Sequence, residues 1–251
     1  SEPYVMGSHA TGSGAWCSGP EDVSPPEYFW GYNRMMTIEG LFGAGDAVGG
    51  TPHAFSSGSF TEGRLSAKAA CRYIDDGKGE GIVVSDKRIN ELKEKIYKPM
   101  EHYKIYRNEV VAGDVNPNYI NPRQGLDRLQ KLMDEYCGGA TVSYMTNEKL
   151  LSIGLKKLKV MEEDLEKLAA SDFHELLRAW ELMHRHRTAE CVTQHTMFRK
   201  ETRWPGYYYR GDAMKLDDEN WHVLTVSRRD PDTGEYTMEK APVYHLVKDG
   251  E

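Results

Sequence analysis

With 251 residues, 39% of them hydrophobic and 28% charged, the sequence has the size and composition of a soluble globular protein able to bury a real core. Its net charge of -7 argues against a nucleic-acid-binding surface. Cys17, Cys71, Cys137 and Cys191 stand far apart without a C-x-x-C pair, which excludes a zinc or iron–sulfur site built from local spacing, so no metal site is expected. Scattered single cysteines fit a reducing cytoplasm.

No run approaches the roughly 18 apolar residues of a membrane-spanning helix, so no membrane insertion is expected. The opening SEPYVMGSH carries neither a basic nor an apolar leader and no initiator Met, and the chain is expected to begin within a longer protein. Residues 1–36 are rich in Gly, Ser, Pro and aromatic side chains, among them His9, Trp16 and Trp30; their lack of periodicity predicts irregular segments and short strands. Next comes the apolar run Leu41-Phe42-Gly43-Ala44-Gly45, the length of a buried strand, ending at Asp46. Gly49, Gly50 and Gly58 surround Pro52 and His53 in a loop that small residues tighten, and Ser57 or Ser59 is placed to cap a helix through Leu65, Ala69 and Ala70. A strand ending in an acid, glycines that let backbone come close, and helix N–H groups facing the loop are parts with which proteins hold a large anionic or electron-rich cofactor. An ordinary glycine-rich α/β turn uses the same spacing.

From residue 81 the pattern changes to helix. Asp86 is placed to cap a helix with apolar spacing at Ile89, Leu92, Ile96 and Met100, which Pro99 should end or kink. Residues 115–120 read as a loop. Asn121-Pro122 opens a helix through Leu126, Leu129, Leu132, Met133 and Tyr136 that stops at Gly138-Gly139. A third runs from Asn147 to Leu168 with Leu151, Leu155, Leu158, Met161 and Leu165 on one face, and a fourth from Asp172 to about Arg199. Four successive amphipathic helices predict a helical domain, not a doubly wound sheet.

Two features invite a metal reading and do not support it. The acids Glu162, Glu163, Asp164 and Glu166 are interspersed with lysines and read as a solvated face. His184 and His186, two apart, point about 200° away from each other on a helix. Between 199 and 212 alternating arginines and acids could form a buried or interdomain ion-pair network or a charged helix end. The tail holds two period-2 runs, 222–226 and 236–247, around Asp230-Pro231-Asp232-Thr233-Gly234, a β-hairpin signal.

The run Gly40-Leu41-Phe42-Gly43-Ala44-Gly45-Asp46-Ala47-Val48-Gly49-Gly50 resembles the second flavin-binding segment of the fumarate reductase and succinate dehydrogenase flavoprotein family. Within it, GSHATGSGAWCSGP (7–20) and GDAVGGTPHAFSSGSFTEGRLSAKAA (45–70) are most similar to the adenylylsulfate reductase α subunits. The resemblance covers nearly all 251 residues but only the C-terminal part of such a subunit. It implies an α+β fold: the C-terminal part of an FAD-binding α/β domain with the active-site loop (1–80), a helical, bundle-like domain (81–212) and a β-hairpin tail (213–251). The family's G-x-G-x-x-G pyrophosphate unit and capping domain would lie upstream of Ser1.

The resemblance further implies a cytoplasmic oxidoreductase that interconverts adenylylsulfate with sulfite and AMP through a flavin N5–sulfite adduct, inactive as this isolated piece. It implies FAD as cofactor, held by Gly45, Asp46, Gly49, Gly50, Ser57, Gly58, Ser59 and Phe60, and a ferredoxin-like β subunit that carries the iron–sulfur clusters. Residues 4–9 are similar to the family's HYTMGG-like segment, with Pro3 where the dicarboxylate enzymes have histidine; His9 instead matches the active-site histidine of the adenylylsulfate enzymes and takes the catalytic role. The run Arg199 to Asp212 resembles the family's R-x-E-S-R-G-x-H-x-R-x-D signature, with Trp204-Pro205 and three tyrosines added. Two alternatives stand beside this reading. A succinate dehydrogenase or fumarate reductase would need a substrate arginine in the stretch matched by His53 to Gly58, which has none. A non-catalytic docking module would suit a chain that is complete in itself.

Overall fold

The computed structural model describes residues 13–49, 56–81, 83–111, 116–203, 205 and 208–243. The chain divides into two units at Ser85/Asp86, and each is described by itself.

In the second unit the helices begin where side chains can satisfy their first N–H groups. Helix α3 (Pro122–Tyr136) opens with a complete capping box: Asn121 accepts the Gln124 N–H at 2.9 Å, and the Gln124 side chain accepts the Asn121 N–H at 3.0 Å. Asn147 caps α4 (Glu148–Leu165) by accepting the Leu150 N–H, and Asp172 caps α5 (Phe173–Phe198) by accepting that of Glu175. Their apolar faces meet in one core of Leu129 and Leu132 from α3, Leu158, Met161 and Leu165 from α4, Leu168, and Ala179, Leu182 and Ala189 from α5. Each fully buried leucine contributes on the order of 1.5–3 kcal/mol. His186 is buried on α5 and donates Nε2–H to the Leu158 carbonyl (2.8 Å), whereas His184 is exposed beside Trp180.

Helix α2 (Asp86–Tyr106) starts at Asp86 and, contrary to expectation, continues seven residues past Pro99. Proline removes one helical N–H and crowds the preceding turn, and neighbouring donors serve carbonyls there: Trp180 Nε1–H donates to Ile96 O (3.0 Å) and Ala170 N–H to Pro99 O (3.0 Å). The helix packs on α5 around these bonds, where Tyr97 also meets Phe173, so its stripe Ile89, Leu92 and Ile96 stays partly exposed instead of entering the core.

The acids at the end of α4 and just beyond it stay partly or fully solvated, as expected, and three of them also make ion pairs with other elements. Glu162 meets Arg187 at 2.8 Å and Arg229 at 3.6 Å, Asp164 pairs with Arg128, and Glu166 with Lys98.

Two short parallel strands, β1 (Met145–Thr146) and β2 (Tyr209–Arg210), join the loop before α4 to the segment after α5. After the one-turn helix α6 (Asp218–Trp221), the tail forms the expected antiparallel hairpin of β3 (Val223–Arg229) and β4 (Tyr236–Pro242). Its turn is fixed by Asp230, whose carboxylate accepts the N–H groups of Asp232 and Thr233, and by Gly234 at φ 75°. The hairpin rests on α5, where His195 bonds the hydroxyls of Thr225 (3.0 Å) and Ser227 (2.9 Å).

The first unit holds helix α1 (Ser56–Asp75) and irregular chain around it. The strand expected at 41–45 does not form. Gly40 and Gly45 sit at φ 78° and 68°, which breaks an extended run, and the segment makes one isolated bridge, Met35 to Phe42, before a 3-10 turn at Gly45–Ala47.

Candidate functional site

The two glycine-rich segments come together backbone to backbone. Ala15 N–H donates to Ala47 O (2.9 Å) and Gly49 N–H to Ala15 O (3.0 Å), and a Cβ on Gly14 would lie 2.6 Å from the Val48 carbonyl carbon. A side chain there would drive the two segments apart, so glycine is required by close approach. Further along, Cys17 bridges Met36; burial pushes its thiol pKa up, against the pull of a hydrogen bond from Arg34.

Gly45 is buried at the corner that follows, and a Cβ on it would stand 3.3 Å from Ser59 Oγ. The corner therefore touches the first turns of α1. Asp46, next in sequence, is exposed. Ser57 and Ser59 were expected as caps; helix α1 already includes Ser56, so Ser57, Gly58, Ser59 and Phe60 all lie inside it. Ser57, Gly58 and Ser59 thus sit in the first described turn of α1, toward the positive end of its dipole. Phe60 is 80% exposed, an extreme value for an aromatic ring. Gly45, Asp46 and Ser59 are thus brought together, with Gly49 one strand-bridge away. His9, Gly50, Pro52 and His53 lie outside the described residues.

Two residues escaped the sequence reading. Glu62, one turn after Gly58, is only 4% exposed; its Oε2 accepts the Gly45 N–H at 3.2 Å and its Oε1 pairs with Arg34 Nη2 at 3.1 Å. Arg34 itself has a left-handed backbone, φ 63°. The signal for Glu62 was its helical register, since it shares the buried stripe of α1 with Ala69 and Tyr73.

In the second unit, the charged segment 199–212 forms the buried network that was one of its two expected forms. Glu201, 2% exposed, receives Arg199 Nη1 (2.5 Å), Arg203 Nε and Nη2 (2.6 and 3.0 Å) and the Asp217 N–H (3.1 Å). Arg210, 1% exposed, donates to the carbonyls of Thr196, Met197 and Arg199 at the end of α5 and clamps Asp212 at 2.9 and 3.0 Å. That clamp, with the Glu148 N–H, holds the Asp212 carboxyl down to about 2. Among the described residues no group of three His, Cys, Asp or Glu side chains is placed to hold a metal ion, and no helix is long and apolar enough to cross a membrane.

Residues 126–247 match the sequence model of the fumarate reductase flavoprotein C-terminal region, and the chain belongs to that family. Over 98% of its length it is 42% identical to the adenylylsulfate reductase α subunit of Megalodesulfovibrio gigas, and it spans 38% of that relative's length. Adenylylsulfate reductase of Archaeoglobus fulgidus superposes with a TM-score of 0.89 at 52% identity, covering 98% of this chain and 39% of that one. A structure of adenosine-5-phosphosulfate reductase in complex with sulfite, as a covalent adduct, matches with the same values. Quinol fumarate reductase of E. coli matches at 23% identity and a TM-score of 0.63, covering 87% and 36%, a likeness of fold alone.

Proposed function

We propose that this chain is the part of an adenylylsulfate reductase α subunit that closes over the ribityl and isoalloxazine portions of FAD and presents the substrate side of the site. The observation that carries the reading is the 52% identity at a TM-score of 0.89 over 98% of the chain with the Archaeoglobus enzyme. In this reading residues 1–80 complete the flavin domain, 81–212 form the helical domain and 213–251 the hairpin tail.

The residues present fit such a cofactor. Trp16 Nε1, Asn33 Oδ1 and Arg34 Nε are buried without a hydrogen-bond partner among the described residues, so the first unit has polar groups left over for one. Asp46, exposed at the corner, is the acceptor for a ribityl hydroxyl. Gly45, Gly49 and Gly50 let the backbone come close, and the exposed Phe60 ring supplies an apolar face. Ser57, Gly58 and Ser59 lie in the first described turn of α1, and the positive end of its dipole favours negative charge on the ring system. When bound, FAD supplies the two-electron chemistry between adenylylsulfate and sulfite plus AMP. His9 acts on the substrate: its ring hydrogen-bonds the sulfonyl oxygens and stabilises the charge they carry. Electrons enter from a ferredoxin-like iron–sulfur β subunit, in the cytoplasm. The isolated chain is inactive and binds FAD poorly, because the pyrophosphate cradle of the family belongs to another segment.

The test is turnover by the complete α subunit with its iron–sulfur partner. Reduction of an electron acceptor that requires both sulfite and AMP is expected, with no oxidation of succinate. Succinate oxidation without a response to sulfite would overturn the reading in favour of dicarboxylate chemistry.

A further inference from the structure

Resting on the flavin reading of this site, we infer that the ion pair of half-buried Arg34 with buried Glu62 is the device that positions the Gly45–Asp46 corner and the first described turn of α1 toward the cofactor. Both would then be positioning residues.

Three observations converge. Glu62 uses its two oxygens for different tasks: Oε1 faces the Arg34 guanidinium (3.1 Å), while Oε2 takes the N–H of Gly45 (3.2 Å) from within α1. One carboxylate thereby ties the glycine corner to the helix that carries Ser57, Gly58, Ser59 and Phe60. Second, Arg34 holds a left-handed backbone at φ 63° between two further restraints, its N–H donating to Ser18 O (2.8 Å) and its carbonyl accepting from Gly43 N–H (3.0 Å). For a residue with a Cβ this conformation is strained, and such strain persists where the surroundings over-determine it. Third, burying the charge of Glu62 is costly unless it is paired, so the carboxylate forces Arg34 to its side. The guanidinium then also reaches Cys17 Sγ (3.8 Å), in the segment that crosses Ala47–Gly49 through Ala15. The pair thus connects all three backbone segments around the candidate site to one helix. An ordinary core position would be satisfied by an apolar side chain at 62.

The experiment uses the complete α subunit with its partner and two variants, Glu62→Gln and Glu62→Ala, with Glu201→Gln in the second unit as a control for general destabilisation. Two readouts are taken: hydrogen exchange at the Gly45 amide in the FAD-free protein, and the FAD dissociation constant by flavin fluorescence. Leaving a buried donor unsatisfied costs about 1–3 kcal/mol, a factor of about 5–150. Glu62→Ala should therefore speed Gly45 exchange and raise the dissociation constant by about 5- to 150-fold. Glu62→Gln, which keeps an acceptor for the Gly45 N–H but lacks the charge, should give smaller changes of the same sign. Glu201→Gln should leave both readouts at wild-type values. Unchanged Gly45 exchange in both Glu62 variants overturns the inference whatever FAD does. Faster exchange with an unaltered dissociation constant shows that the corner does not face the cofactor and overturns the flavin reading beneath it. If Glu62→Ala does not fold, Glu62→Gln decides alone: wild-type values in both readouts would end the proposal.

Discussion

Arg210→Met removes a buried cation while keeping an unbranched side chain of similar length. Five hydrogen bonds go with it: two to Asp212 and three to the carbonyls of Thr196, Met197 and Arg199. A simple sum would overshoot, because Asp212 is about one-third exposed and can rehydrate and retains the Glu148 N–H. The dominant loss is the pairing of groups that stay buried, for which removing one partner costs about 3–5 kcal/mol. The affected unit spans residues 86–245, a size for which 1 kcal/mol shifts Tm by about 2–4 °C, so a decrease of about 6–20 °C is expected. Thermal unfolding followed by far-ultraviolet circular dichroism reads this out. Arg210→Met/Asp212→Asn should recover part of the loss, since it removes the uncompensated carboxylate. A single variant within about 2 °C of wild type, the smallest shift expected for 1 kcal/mol at this size, would refute the argument that this pair joins the end of α5 to the start of α4.

Asn121→Ala breaks the capping box of α3 and should cost about 0.5–2 kcal/mol in urea unfolding, with Asn121→Asp nearly neutral. Burial, then the charge of Arg199, lowers the pKa of His195, so the unfolded chain binds its proton more readily than the folded one. Its contribution to stability is therefore complete above about pH 6.5 and is lost as pH falls below that; His195→Asn should flatten this limb of a stability–pH curve. Asp46→Ala in the complete subunit should weaken FAD retention by about 10- to 150-fold, the equivalent of one charge-assisted hydrogen bond of about 1.5–3 kcal/mol, as measured by fluorescence titration.

The helical unit was legible because its signals are local. Asn121, Asn147 and Asp172 each precede an apolar repeat and each caps the helix it announces. Asp230 and Gly234 marked the hairpin in the same way. The errors arose where distant residues decide. Pro99 is accommodated by neighbours that bond the carbonyls of Ile96 and of Pro99 itself, and Trp180 is far from it in sequence. The run 41–45 is apolar enough for a strand, yet the Gly45 N–H is taken by Glu62 instead of a neighbouring strand. For the candidate site, the glycines and Asp46 were visible as a motif, whereas Arg34 and Glu62 are 28 positions apart and no spacing rule connects them. An acid on the buried face of α1 was the one available sign. The role given to His9 rests on resemblance, since a lone histidine in a glycine-rich segment carries no geometric signature of its own.

The most direct test of the central claim is the response of the bound flavin to sulfite. With FAD in the complete α subunit and no electron acceptor present, sulfite is expected to bleach the oxidised-flavin absorbance, and succinate to leave it unchanged. Bleaching by succinate with no response to sulfite would contradict the account.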